Sequence, residues 1–111
     1  MTAQASTLHK LEILEFLYRQ GYSSDLVDRA LDKVIALERS RLRQELADLQ
    51  VHLDAFEELY HTTSADFSRR FHAGELGDEA DYFQWSAFYD MAQALHQRLQ
   101  KLEGEAASKK P

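Results

Sequence analysis

The sequence predicts an all-α fold: an elongated antiparallel helical hairpin, coiled-coil-like in its packing and completed by dimerisation. Three observations carry that prediction. The helix breakers are few: the single proline is Pro111, and the glycines are Gly21, Gly74, Gly77 and Gly104, with 52 residues between the first two. Leu, Ala, Glu, Gln, Arg and Lys dominate, and no stretch sustains the apolar/polar alternation of a strand. From Leu42 the apolar residues Leu46, Leu49, Leu53, Phe56 and Tyr60 follow in steps of 4, 3, 4, 3 and 4, the heptad spacing of helices lying side by side.

The first helix is expected over residues 8–20, with Thr7 as its N-cap and Gly21 at the left-handed position that closes a helix. Leu11, Leu14, Leu17 and Tyr18 share one face, widened by Ile13 and Phe16. Gly21-Tyr22-Ser23-Ser24 makes a tight turn, and Ser23 or Ser24 caps a second helix over residues 25–60. Its first turns carry Asp25 and Asp28, which suit a positive helix end. Ser64 is the expected cap of a short third helix over residues 65–73, which bears Phe67 and Phe71 and is ended by Gly74. Asp78 and Asp81 read as a capping pair for a fourth helix over residues 79–103, which Gly104 stops. Its main stripe is Trp85, Phe88, Ala92, Leu95, Leu99 and Leu102. Residues 1–7 and 104–111 are small and polar and are expected to be disordered, leaving residues 8–103 as one helical domain.

At 1.5 Å per residue the second helix is about 54 Å long, more than a compact domain of this size accommodates. The first and fourth helices, about 20 and 37 Å, are expected to fold back along it as a rod two helices thick. A seam of Leu42, Leu46, Leu49, Leu53, Phe56, Leu95 and Leu99 then serves packing and dimerisation. A second apolar stripe lies opposite the main one, comprising Leu26, Ala30, Leu37, Val51, Ala55 and Leu59 on the second helix, and Phe83, Ala87 and Ala94 on the fourth. Surplus apolar surface of this kind pairs with another chain.

Thirteen Lys and Arg against nineteen Asp and Glu give a net charge of −6, which disfavours nucleic acid as a direct partner. The clusters Arg39, Arg41, Arg43 and Arg69, Arg70 are the basic exceptions, but the start of the second helix carries Asp25, Asp28 and Asp32, unlike a recognition helix. The chain has no cysteine, so neither disulfides nor thiol chemistry arise. No apolar run approaches the ~18 residues of a membrane span, and the N-terminus lacks the pattern of a signal peptide, so the cytoplasm is the expected compartment.

Catalytic, cofactor and metal residues are not expected. The acidic loop Glu75, Asp78, Glu79, Asp81 lacks calcium-loop spacing, and Glu58-x-x-His61 has no second Glu-x-x-His to complete a di-iron site. The five histidines are scattered, and Asp48 with His52 reads as a surface pair rather than a dyad. Chemistry is densest among the aromatics Tyr82, Phe83, Trp85, Phe88 and Tyr89, which occupy nearly the whole circumference of the fourth helix. Two readings stand for them: a small core closed by the third helix, with Phe67 and Phe71 meeting Phe83, or an anchor for a partner.

The Gly21-Tyr22-Ser23 turn, the long helix ending Phe56-Glu57-Glu58-Leu59-Tyr60, the pair Phe67-x-x-x-Phe71 and, above all, Gly74-Glu75-Leu76-Gly77-Asp78-x-x-Asp81-Tyr82-Phe83-x-Trp85 resemble a group of small all-helical prokaryotic proteins. These are often encoded beside a small partner and are described as antitoxins of toxin–antitoxin modules. The likeness covers about residues 8–102, and it implies a non-catalytic protein that binds and neutralises a toxin. Tyr60-His61-Thr62-Thr63-Ser64 departs from the pattern, since no glycine follows the tyrosine. The expected function is therefore protein binding by occlusion of a small basic partner through the second apolar face near Phe83 and Trp85. The alternatives are a purely structural homodimer and, more remotely, a metal-dependent helical-bundle enzyme.

Overall fold

The computed structural model describes residues 2–108, and the side chains of residues 2–104. It is all-α, with four helices: α1 (Ala3–Arg19), α2 (Asp25–Tyr60), α3 (Ser64–His72) and α4 (Ala80–Ser108), and no strand among the described residues. The chain divides into two compact units, Met1–Val34 and Ile35–Pro111, so α2 contributes to both.

In the first unit, α1 starts at Ala3 rather than near Leu8, because Thr2 caps it: the Thr2 hydroxyl accepts the Ala5 N–H at 3.0 Å. Thr7, the expected cap, lies inside the helix and donates its hydroxyl to the Ala3 carbonyl at 3.1 Å. Residues 3–7 are thus helical, and Met1 lies outside the described residues. The other end of α1 closes as expected. Gly21 has φ +92°, its N–H reaches the Tyr18 carbonyl, and the Tyr22 N–H reaches the Leu17 carbonyl, the Schellman pattern that satisfies the last carbonyls. Ser24 caps α2, accepting the Val27 N–H at 3.3 Å. The Tyr18 hydroxyl ties the hairpin, lying 2.7 Å from Asp28 Oδ1 and accepting the Ser24 N–H at 3.1 Å. Its bond to that carboxylate holds the Tyr18 phenol above its ordinary range of ionisation. No residue of α1 is buried.

In the second unit the expected seam packs within the chain. Leu42, Leu49 and Leu53 of α2 meet Trp85, Ala92 and Leu95 of α4 and Phe67 of α3, while Leu46, Phe56, Leu99 and Leu102 lie half-buried against them. The heptad steps along α2 and the 3/4 steps along α4 put one row of each helix into the shared core. Arg43 of α2 pairs with Glu103 of α4 at 2.8 Å, an exposed ion pair that contributes little.

Two further boundaries differ from expectation. Thr63, not Ser64, caps α3, its hydroxyl accepting the Asp66 N–H at 3.1 Å; this frees Ser64 to enter the core. Gly74, at φ +75°, ends the helix with the same Schellman bonds, from Gly74 to Phe71 and from Glu75 to Arg70. Helix α4 runs through Gly104 to Ser108 rather than stopping there. A lone glycine costs a helix only about 1 kcal/mol, and the Glu105-Ala106-Ala107 that follows favours helix. The tail expected to be disordered is helical to Ser108, and residues 109–111 lie outside the described residues.

The turn after Tyr60 resolves the missing glycine. His61 itself takes the left-handed conformation, φ +55°, that glycine adopts freely. An L-residue there costs roughly 1–2 kcal/mol, part of which a glycine would return as entropy of the unfolded chain. His61→Gly is therefore expected to raise stability by about 0.5–1 kcal/mol, read as a higher urea midpoint at unchanged slope. A lower midpoint would mean that the imidazole makes a compensating contact.

Candidate partner-binding surfaces

The five clustered aromatics of α4 separate into core and rim. Trp85 is wholly buried, stacked on Phe67 with centroids 3.9 Å apart and flanked by Phe56 at 5.5 Å and Tyr60 at 5.6 Å. Its indole N–H donates to Ser64 Oγ at 2.9 Å, and Ser64 in turn donates its backbone N–H to Glu57 at 2.8 Å. Trp85 is therefore the centre of the chain's own core and not an anchor for a partner, which corrects that expectation. The reason is α3: capped one residue earlier, it lays Phe67 flat on the indole and offers Ser64 as acceptor.

Tyr82 is half-buried against Phe67 and Tyr60. Phe88, also half-buried, packs beside Phe56 and stacks on His52 at 4.7 Å. His52 thus serves an aromatic contact, while Asp48, its expected partner, accepts Gln44 Nε2 at 3.1 Å. The half-buried Tyr89 accepts Gln93 Nε2 through its hydroxyl at 2.8 Å. Only Phe83 of the five is exposed, at 57%, in a T-shaped contact with Phe71 at 5.4 Å between ring centroids. Of the two contacts with Phe83 that the core reading expected, Phe71 makes one, whereas Phe67 lies on Trp85 and Tyr82 instead.

The Tyr60 hydroxyl donates to Asp81 at 2.8 Å, so Asp81 ties the first turn of α4 to the end of α2. That bond, with reduced solvation, pushes the ionisation of Tyr60 up to about 12, because the phenolate would face a carboxylate without a proton between them.

Outside the core, the second apolar stripe is exposed in both units. Leu26 of the first unit is 78% accessible; Val51 (68%), Leu59 and Phe83 of the second are likewise open. The second unit also has a groove of about 430 Å³ between α2 and α4. Leu49 and Leu95 floor it, Met91 and Ala94 form its wall, and Glu45, Asp48 and Arg98 stand at its edge. Met91, half accessible, was not singled out from the sequence. Its spacing of three from Phe88 and four to Leu95 was the available signal.

The first unit carries its own groove of about 210 Å³, lined by Leu11, Leu14, Tyr18, Val27 and Leu31 with Glu15 at the margin. Phe16, Ile13 and Val34 are exposed elsewhere in the same unit.

The basic clusters are largely engaged by acids. Arg41 pairs with Glu38 at 2.9 Å and with Glu45, and Arg69 pairs with Asp66 at 3.3 Å. The Arg41 guanidinium holds the Glu38 carboxyl below its usual range. Among the described residues no group of three or more His, Asp or Glu stands close enough to hold a metal ion. Among the described residues no helix is long and apolar enough to cross a membrane. Comparison of the chain with protein-family models, curated proteins and solved structures finds no match.

Proposed function

We propose that the chain is a non-catalytic protein-binding subunit of the cytoplasm, of the antitoxin type that the segment 74–85 resembles. It neutralises a small basic toxin by covering its working surface. One observation carries the reading: after α2, α3 and α4 have filled their own core, Val51, Leu59, Phe83 and Met91 remain more than half exposed, and Met91 forms part of an apolar groove between α2 and α4. Isolated surface leucines need no explanation, but an apolar groove with an exposed methionine in its wall marks an interaction site. Charge favours a cationic partner. Residues 35–111 hold nine Lys and Arg against fourteen Asp and Glu, a net −5 that steers basic proteins toward this unit.

The test is co-expression with the product of the adjacent open reading frame. The wild-type chain is expected to relieve the neighbour's toxicity, and Phe83→Asp/Met91→Asp to abolish relief while the melting temperature holds, since both side chains lie outside the core. A harmless neighbour, or full relief by the double variant, would overturn the reading. Loss of partner binding altogether would leave the structural homodimer, and stoichiometric iron or zinc in the purified protein would replace both with a metalloenzyme.

A further inference from the structure

We infer that the α1–α2 hairpin of the first unit is a self-association module, docking face to face on the same hairpin of a second copy. The inference rests on a different unit from the proposed toxin-binding face and stands apart from it. The hairpin comprises 34 residues, and none of those described is buried. A segment below ~40 residues seldom builds an adequate core alone, and α1, with no buried residue, lacks the packing that supplies most of a helix's stability. Yet both helices turn apolar side chains into one groove, in which Leu11 and Leu31 stay more than a third accessible. Something must cover that groove if the hairpin is to persist.

Charge selects the occupant. The hairpin holds four Lys and Arg against five Asp and Glu, a net of −1, whereas the rest of the chain carries −5. Within it, Arg19 pairs with Glu15 at 3.6 Å and Arg29 with Asp25 at 3.0 Å, each one helical turn apart. A nearly neutral, internally paired surface offers little to attract a strongly cationic protein, and it offers equally little repulsion to its own copy. This is the part of an acidic chain at which two copies can approach closely. Shape agrees: a two-helix hairpin meeting its twin makes a four-helix arrangement in which each apolar groove is covered by the other, the isologous solution of a two-fold dimer.

The experiment uses the full chain, which has no cysteine of its own. Glu15→Cys places a thiol at the groove margin, and Gln50→Cys places one on the exposed surface of the second unit. With a short bis-maleimide, Glu15→Cys is expected to give a covalent dimer in high yield and Gln50→Cys to stay a monomer. Light scattering should return twice the chain mass for the wild type and the single mass for Leu11→Asp/Leu31→Asp. The near-ultraviolet signal of Trp85 should be unchanged in that variant, showing that the second unit is intact. A monomeric wild type at about 100 μM, or equal cross-linking of both cysteine variants, would overturn the inference. Neither result bears on toxin relief through Phe83 and Met91, so the two proposals fail separately.

Discussion

Trp85→Ala is expected to cost the fold about 3–5 kcal/mol, the range seen when a large buried aromatic is truncated. Native domains are stable by only 5–15 kcal/mol, so this variant should be largely unfolded in its second unit on mild heating. The argument is local. The indole is wholly buried and touches rings from two other helices, Phe56 and Tyr60 of α2 and Phe67 of α3. Removing it opens a cavity where three helices meet and leaves Ser64 Oγ buried without its donor. Trp85→Phe separates the two losses: it keeps most of the ring volume and drops the hydrogen bond, and should cost about 1–3 kcal/mol. Urea denaturation followed by far-ultraviolet circular dichroism reads both. A midpoint for Trp85→Ala within error of the wild type would show that α3 does not close the core in solution.

Much of this architecture can be read from the chain. The heptad steps from Leu42 to Tyr60 identify the buried row of α2 because a helix leaves few ways to place residues at that spacing. Gly21 and Gly74 mark helix ends because a left-handed residue is required there and glycine supplies it at no steric cost. The misplaced helix starts share a cause: at each, two residues satisfied the same local rule. Thr2 and Thr7 are both competent caps, and the helix extends to the outer one because Ala3, Gln4 and Ala5 favour it. Thr63 and Ser64 are adjacent cap candidates, and tertiary contact decides between them, since Ser64 is needed as the acceptor for Trp85. Gly104 resembles Gly21 in sequence but is not among the positive-φ glycines. His61 takes a glycine's conformation without being one, which composition alone does not reveal.

The candidate surface was legible in outline. Leu26, Leu37, Val51, Leu59 and Phe83 fall on the second stripe by angle alone, and each is exposed. Periodicity could not sort the aromatics of α4, because Tyr82, Phe83, Trp85, Phe88 and Tyr89 span most of its circumference. Which of them turn inward depends on where α3 lies. That is set by the Thr63 cap and by Ser64, bonded to Glu57 and Trp85, rather than by any pattern within α4.

The central claim is that only one of the two units possesses a core of its own. Amide hydrogen exchange tests it most directly, on the full chain diluted until light scattering shows a monomer. Amides of α4 around Trp85 should exchange only through global unfolding of their unit, whereas those of α1 should open at a cost of no more than roughly 1–2 kcal/mol, as expected for a marginal helix without buried contacts. Raising the concentration should slow exchange in α1 while leaving the α4 core unchanged. Exchange in α1 as slow as in α4 in the dilute, monomeric sample would contradict the account.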